Sequence, residues 1–153
     1  LALQELNEHQ EALDAFSKAT TLSGNVHEAW NYKGYVFEEI GKHQEALDAY
    51  DKAIQIKPDF VIAFNNKGLL QDTMGNHLEA IETYNKALTI KPDLDIAWFN
   101  KACAEALLSN KEGALSSLKK AIELNQSFKR IARTNPDFSK IKDDPDFINV
   151  VGN

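Results

Sequence analysis

An all-α fold of stacked helix pairs is what this sequence predicts, and three observations predict it. The first is repetition. Residues 27–60 return without a gap as 61–94 and again as 95–128, and the second half of the unit occurs earlier as 1–26. One column of the alignment reads Ala12, Ala46, Ala80, Ala114 and another Ala19, Ala53, Ala87, Ala121. Others read Phe16, Tyr50, Tyr84, Leu118; Leu22, Ile56, Ile90, Leu124; and Lys18, Lys52, Lys86, Lys120. A fixed period of this length signals stacked repeats rather than one globular core. The second observation is that apolar residues within each unit recur at steps of three and four, the spacing of a helix face. The third is glycine or proline at the ends of the periodic segments.

Residues 1–26 read as a partial repeat whose first helix, over Leu1–Leu6, is cut short. The chain begins without methionine and in mid-repeat, so it is expected to be a piece of something longer. Its open N-terminal end is expected to fray or to pack against another copy of the chain. In the repeat 27–60, a first helix within Val26–Ile40 runs through Ala29, Trp30, Gly34 and Phe37, and Gly41 ends it. A second helix, His43–Ile56, runs through Ala46, Leu47, Tyr50, Ala53 and Ile54. Pro58 cannot continue that helix and turns Lys57 away from helical geometry, while Asp59 is placed to cap the next one. Repeats 61–94 and 95–128 follow the same plan.

The alanine columns let neighbouring helices approach closely, with an aromatic beside each one filling the groove. Gly34 and Gly68 are expected to serve the same packing, since glycine within a helix costs roughly 1 kcal/mol. Asp14–Lys18, Asp48–Lys52 and Glu82–Lys86 are i,i+4 pairs on solvated faces, each contributing about 0.2–0.5 kcal/mol. Beyond Phe128 the period fails. Residues 129–153 read as a capping segment in which Phe128, Ile131, Phe138, Ile141, Phe147 and Ile148 cover the last repeat. Ser127 is placed to cap a helix over Phe128–Arg133, and Asp144-Pro145 is a cap followed by a first-turn proline.

These residues resemble the tetratricopeptide repeat. The family pattern of Trp, Leu-Gly, Tyr, then Ala, Phe and Pro is met by Trp30, Lys33-Gly34, Phe37, Ala46, Tyr50 and Pro58. The next repeat offers Phe64, Lys67-Gly68, Ala80, Tyr84 and Pro92. The third keeps Trp98 and Ala114, but Ala102, Leu118 and Gln126 replace the glycine, the aromatic and the proline. Lys33, Lys67 and Lys101 stand where the family usually has leucine; their stems are expected to lie along the stack with the ammonium in water. The resemblance implies a right-handed α-solenoid closed by the C-terminal segment, acting as a non-catalytic scaffold that holds a protein or peptide partner.

Composition narrows the alternatives. A formal net charge of −6 argues against nucleic acid, which needs a basic face. No apolar run approaches the roughly 20 residues a membrane helix requires. Cys103 is the only cysteine, which excludes an internal disulfide and fits a reducing compartment, so the cytoplasm is the expected location. His9, His43 and His77 are evenly spaced but lie in one column of successive repeats. Equivalent helices are about 8–10 Å apart, too far for shared zinc ligation at about 2 Å, so they read as turn residues opening each second helix. No phosphate loop, nucleophile elbow or zinc-protease motif is present. No enzyme, metal or cofactor is expected.

What remains is a surface. In the resembled family the first helices line a concave peptide groove. Here that places Asn31, Tyr32, Tyr35 and Glu38 inward, then Asn65, Asn66, Leu69 and Asp72, then Phe99, Asn100, Cys103 and Ala106. Amide side chains carry donors and an acceptor and can hold an extended backbone of any sequence. Asn66 and Asn100 stand in the family's ladder column, which Tyr32 interrupts. Tyr32, Tyr35, Leu69 and Phe99 supply apolar area, and Glu38 and Asp72 favour a basic group on the ligand. For Phe99 and Cys103, packing beneath the C-terminal segment is an equal alternative. The clamp with which part of the family grips acidic chaperone tails is missing. Its lysine and arginine columns hold Asn31, Ile96 and Asn100, one asparagine column holds Tyr35, and Asn66 alone matches. Such tails are therefore not expected to bind. Two other readings stand beside the scaffold: a self-assembly module that homo-oligomerises through the N-terminal half-repeat, and an accessory domain of a larger enzyme.

Overall fold

The computed structural model describes residues 26–152, and the chain divides into two compact units, 1–70 and 71–153. The partial repeat over 1–26, its open end, His9 and the Asp14–Lys18 pair lie outside the described residues, apart from Val26. Among the described residues all regular secondary structure is helical, an all-α helical-repeat fold.

The first unit contains α1 (Val26–Glu39), α2 (His43–Ile56) and most of α3 (Val61–Thr73). Gly34 sets the distance between α1 and α2: a Cβ there would lie 2.6 Å from Cε1 of Tyr50. The small-residue column thus lets the Tyr50 ring press against the α1 backbone, and Tyr50 is 1% exposed. Ala46, Tyr50 and Leu70 form the core, with Phe37 and Leu47 packed against it. Gly41 takes φ +74° where α1 ends. There its N–H bonds the Glu38 carbonyl at 2.9 Å and the Lys42 N–H bonds the Phe37 carbonyl at 2.8 Å. These are the paired bonds of a helix closed by a left-handed residue, a conformation that costs glycine nothing. After Pro58, the N–H groups of Phe60 and Val61 bond the carbonyls of Lys57 and Asp59, so Asp59 contributes its main chain to the start of α3.

The second unit holds α4 (His77–Ile90), α5 (Asp95–Leu107), α6 (Lys111–Leu124), α7 (Phe128–Thr134), a 3-10 turn (Pro136–Phe138) and α8 (Pro145–Val151). Its two helix-ending turns repeat the geometry seen at Gly41. Gly75 has φ +82°, and Ser109, in the same column, has φ +62°. The Trp98 indole donates to the Pro92 carbonyl at 2.8 Å and packs on Ala80, Tyr84, Leu88 and Ala97. Two buried polar pairs recur one repeat apart: Thr83 Oγ1 donates to Gln71 at 2.7 Å, and Ser117 Oγ to Glu105 at 2.6 Å.

The segment after Phe128 closes the third repeat. Phe128 stacks on Phe99 at 4.5 Å, Phe138 meets Phe99 edge-on at 6.0 Å, and Phe147 lies 5.4 Å from Phe138. Asp144 caps α8 by accepting from the Asp146 N–H, and Lys111 ties that cap to α6 at 2.8 Å.

Several expectations are corrected. Ile131 and Ile148 are exposed at 40% and 39%; Ala132 and Val151 face inward instead, one helical turn from Phe128 and Phe147. Ser127 makes no side-chain cap; its hydroxyl and N–H both donate to Asn125. Asp48 accepts from Gln44 while Lys52 donates to Gln55, so these two are not joined as an i,i+4 pair. The lysine column does not leave its ammonium groups in water. Lys33 lies 4.8 Å above the Trp30 ring, Lys101 lies 5.2 Å above Trp98, and Lys67 bonds Asp51 at 2.6 Å. Desolvated ammonium over an indole face is electrostatically favourable, which explains lysine beside tryptophan in this column.

Candidate functional site

In the first unit the expected surface residues are all half-buried or exposed. The interior-facing positions of α1 and α3 are taken by Ala29, Val36, Ala63 and Leu70, all buried. The turn-and-a-bit between them leaves Tyr32, Tyr35 and Leu69 outward, at 44%, 47% and 43% exposure. Asn66 Nδ2 donates to Asn31 Oδ1 at 3.1 Å, which brings the two amides together across α1 and α3. Each amide keeps further donor or acceptor capacity after that single bond. Tyr32 and Tyr35 lie 6.0 Å apart with tilted rings, and Asn65 is half-buried. Large apolar side chains exposed side by side, next to polarised amides, are how interaction surfaces are built.

Glu38 is half-buried and accepts the Tyr50 hydroxyl at 2.8 Å. Burial, then this bond and the Glu38 charge, drive the Tyr50 hydroxyl far above its usual range, so it remains a donor. The carboxylate therefore has a structural duty that the sequence reading did not assign, with its second oxygen left for other partners.

In the second unit the picture is different. Asp72 pairs with His77 at 2.5 Å, and its side chain is 12% exposed. Burial raises its pKa against the opposing pull of the histidine. Asn100 is half-buried. Phe99 and Cys103, read either as groove residues or as packed beneath the C-terminal segment, are each only 5% exposed, which corrects the groove reading and agrees with the packed one. The physical cause is the C-terminal segment. Phe128 and Phe138 cover Phe99, and Asn135 donates to Cys103 Sγ at 3.5 Å. Burial, then the neighbouring Asp137 carboxylate, push the Cys103 thiol far above its ordinary value, which leaves it protonated and unreactive. Ala106, also expected inward, is buried in the same cluster.

Sequence reading missed Asn135 and Asp137. They lie past the last repeat, where no column points to them, although Asn-Pro-Asp is a turn signal. Asn135 Oδ1 accepts the Asp137 N–H at 2.8 Å, which fixes the 3-10 turn over α5.

Among the described residues no helix is long and apolar enough to cross a membrane. Residues 27–60 and 61–94 each match a family model of the tetratricopeptide repeat, and residues 96–128 match a second model of the same repeat. No curated protein matches the chain. Among solved structures, it is similar to the crystal structure of MamA, with a TM-score of 0.71 and 28% identity over 83% of this chain and 74% of that one. A second crystal structure of MamA protein gives 0.69 and 29% over 80% and 67%. The first TPR of Spaghetti (RPAP3), bound to the HSP90 peptide SRMEEVD, shares the fold with a TM-score of 0.65 and 19% identity, over 76% and 86%.

Proposed function

Because the chain belongs to the tetratricopeptide-repeat family of protein-interaction scaffolds, we propose that it holds an extended segment of a partner protein on the α1–α3 face of its first unit. One observation carries this reading. Tyr32, Tyr35 and Leu69 stay more than two-fifths exposed, and the Asn31 and Asn66 amides of the same two helices are hydrogen-bonded to each other. Aromatics supply contact area at low entropic cost, and amides pair with a peptide backbone irrespective of its side chains. Asn65 flanks the same face and Glu38 lends it negative charge. In the second unit, Asp72 and Asn100 remain candidates for contact with the partner, whereas Phe99 and Cys103 act by supporting the fold.

Acidic C-terminal tails are poor ligands on this reading. Asn31, Asn100, Ile96 and Tyr35 occupy the positions where a carboxylate clamp would need its cations and amide, and Glu38 repels anions. The peptide SRMEEVD, to which the first TPR of Spaghetti is bound in its solved structure, is expected not to bind here in fluorescence polarisation.

The reading is tested with peptides selected from a random display library on the whole chain. Their affinity is expected to fall by at least tenfold, about 1.4 kcal/mol, for the double variant Tyr35→Ala, Asn66→Ala with its helical circular dichroism intact. Lys52→Ala, on an exposed stretch of α2, is expected to leave affinity unchanged. Equal binding by the double variant would place the partner elsewhere.

A further inference from the structure

An indole seals the interface between the second and third repeats. Trp98 packs on Ala80, Tyr84 and Leu88, and its ring N–H is tied to the Pro92 carbonyl at 2.8 Å. Thirty-four residues on, Ala114, Leu118 and Ile122 repeat the floor of that interface on α6, and all three are buried. The tryptophan column, however, ends in Ala132, a methyl where a ring stood. The closing segment covers Ala132 itself, which is 1% exposed, but not the whole flank of α6. A cleft of about 810 Å³ lies between α6, the start of α7 and α8, with Leu115, Ile122 and Val150 as its apolar lining.

The cleft is polarised. Lys119 and Lys129 line it, and neither ammonium meets an acceptor among the described residues. The acids of its rim are placed differently. Glu123 is held by Lys120 at 3.2 Å, and Asp146 by Lys111 at 3.4 Å, where α6 starts. Glu112, also at that start, precedes Lys119 by two helical turns, about 10 Å along α6. Unmet negative charge therefore sits at one end of the cleft and unmet positive charge at the other. The surrounding sequence reinforces the positive end. Residues 127–142 carry Lys129, Arg130, Arg133, Lys140 and Lys142 against Asp137, on a chain whose formal net charge is −6. Exposed charges more than about 8 Å apart are largely screened at physiological salt, so a docking segment responds to these cations rather than to the acidic repeats.

We propose that this cleft is a second docking site, for a segment of a partner protein in which a large aromatic side chain is closely followed by acidic residues. The ring lies on Leu115, Ile122 and Val150, and the carboxylates are met by Lys119 and Lys129. The apolar anchor supplies affinity, and the charge pairs at its edge fix the direction in which the segment runs. The site shares no residue with the α1–α3 face and does not rest on the reading given for it.

The test uses the whole chain and three short peptides. One has a tryptophan followed by two glutamates, the second has glutamines in place of the glutamates, and the third has alanine in place of the tryptophan. Backbone amide spectra are recorded by nuclear magnetic resonance during each titration. Saturable shifts are expected at Leu115, Lys119, Ile122 and Val150, strongest with the glutamate peptide, weaker with the glutamine peptide and absent with the alanine peptide. Combining Lys119→Gln with Lys129→Gln is expected to weaken the glutamate peptide about fivefold, the size of two exposed ion pairs, and to leave the glutamine peptide unchanged. Ser116→Trp, at an exposed position on the cleft wall, is expected to fill the cleft with the chain's own ring and abolish binding. Should the lysine double variant lose its helical circular dichroism, Lys119→Gln alone serves in its place. Unmoved amides, equal response to glutamate and glutamine peptides, or an undiminished response in the lysine variant would each overturn the assignment. So would shifts of the same amides with protein concentration before peptide is added, which would put a second copy of the chain in the cleft. Shifts confined to α1 and α3 would move the peptide to the first unit and equally overturn it.

Discussion

Replacing Gly34 with alanine should destabilise the protein, although glycine-to-alanine changes inside helices usually do the reverse. In an open helix the substitution contributes about 1 kcal/mol of stability. Here the new Cβ would fall 2.6 Å from Cε1, 2.7 Å from Cδ1 and 3.0 Å from Cζ of Tyr50. The ring cannot retreat, because it is 1% exposed, packed on Ala46 and Leu70, and tethered to Glu38 at 2.8 Å. Overpacking of this kind costs about 1–3 kcal/mol and sometimes more. With three atoms of one ring at or inside 3.0 Å, the upper half of that range applies, leaving a net loss of about 1–2 kcal/mol. The third repeat indicates the cure: it pairs Ala102 with Leu118 in these two columns, and both are fully buried. In a Tyr50→Leu background, itself costly because it leaves a void, Gly34→Ala should therefore change sign and recover about 1 kcal/mol. Urea denaturation of all four proteins, followed by circular dichroism and tryptophan fluorescence, completes the double-mutant cycle. A Gly34→Ala that stabilises both backgrounds equally would refute the close-approach argument.

Two further outcomes follow from the turns and the buried acids. Ser109→Gly should stabilise by about 0.5–1 kcal/mol: the left-handed backbone costs a residue with Cβ roughly 1–2 kcal/mol, partly offset by the greater unfolded-state freedom of glycine. A rise of about 2–4 °C in melting temperature is expected, and Gly75→Ser should lose a similar amount; no change in either would sink the claim. Glu105 is buried against Ser117, and burial raises its pKa from the ordinary 4.5 despite Ser117 and Lys101. A raised carboxyl makes the folded state the better proton binder, so its contribution to stability grows as pH falls from neutrality through the raised value and levels off below 4.5. Glu105→Gln should remove that pH dependence and match or exceed the wild type at pH 7, and a difference between the two proteins that ignores pH would contradict it.

The repeat register was legible because it needs only local chemistry. Trp30 and Trp98, the alanine columns and Gly41 and Gly75 each serve a role set within one repeat, and the structure assigns them those roles. Ala102 and Leu118 were harder to read. Taken singly they are departures from the pattern. Against the Gly34–Tyr50 contact they become a matched substitution, a larger residue on one helix offset by a slimmer one on its neighbour. The lysine column was misread for a related reason: sequence spacing tells which residues share a face but not that an ammonium will prefer an indole to water.

The candidate surface divides along the same line. Asn31, Tyr35, Asn66 and Leu69 depend on helix phase, which the period supplies; Asn66 donates to Asn31, and Tyr35 and Leu69 stay exposed. Phe99 and Cys103 hold equivalent phase in the third repeat, yet they are buried. Nothing in their own repeat decides this. The deciding residues are Phe128, Asn135 and Phe138, which lie beyond the last column and reach back over α5. A repeat's inner face is open only where no later segment needs it as a foundation. What this unit leaves open to a partner is thus set by the segment that breaks the repeat, and the search for a ligand should weight backbone and aromatic contacts along α1 and α3.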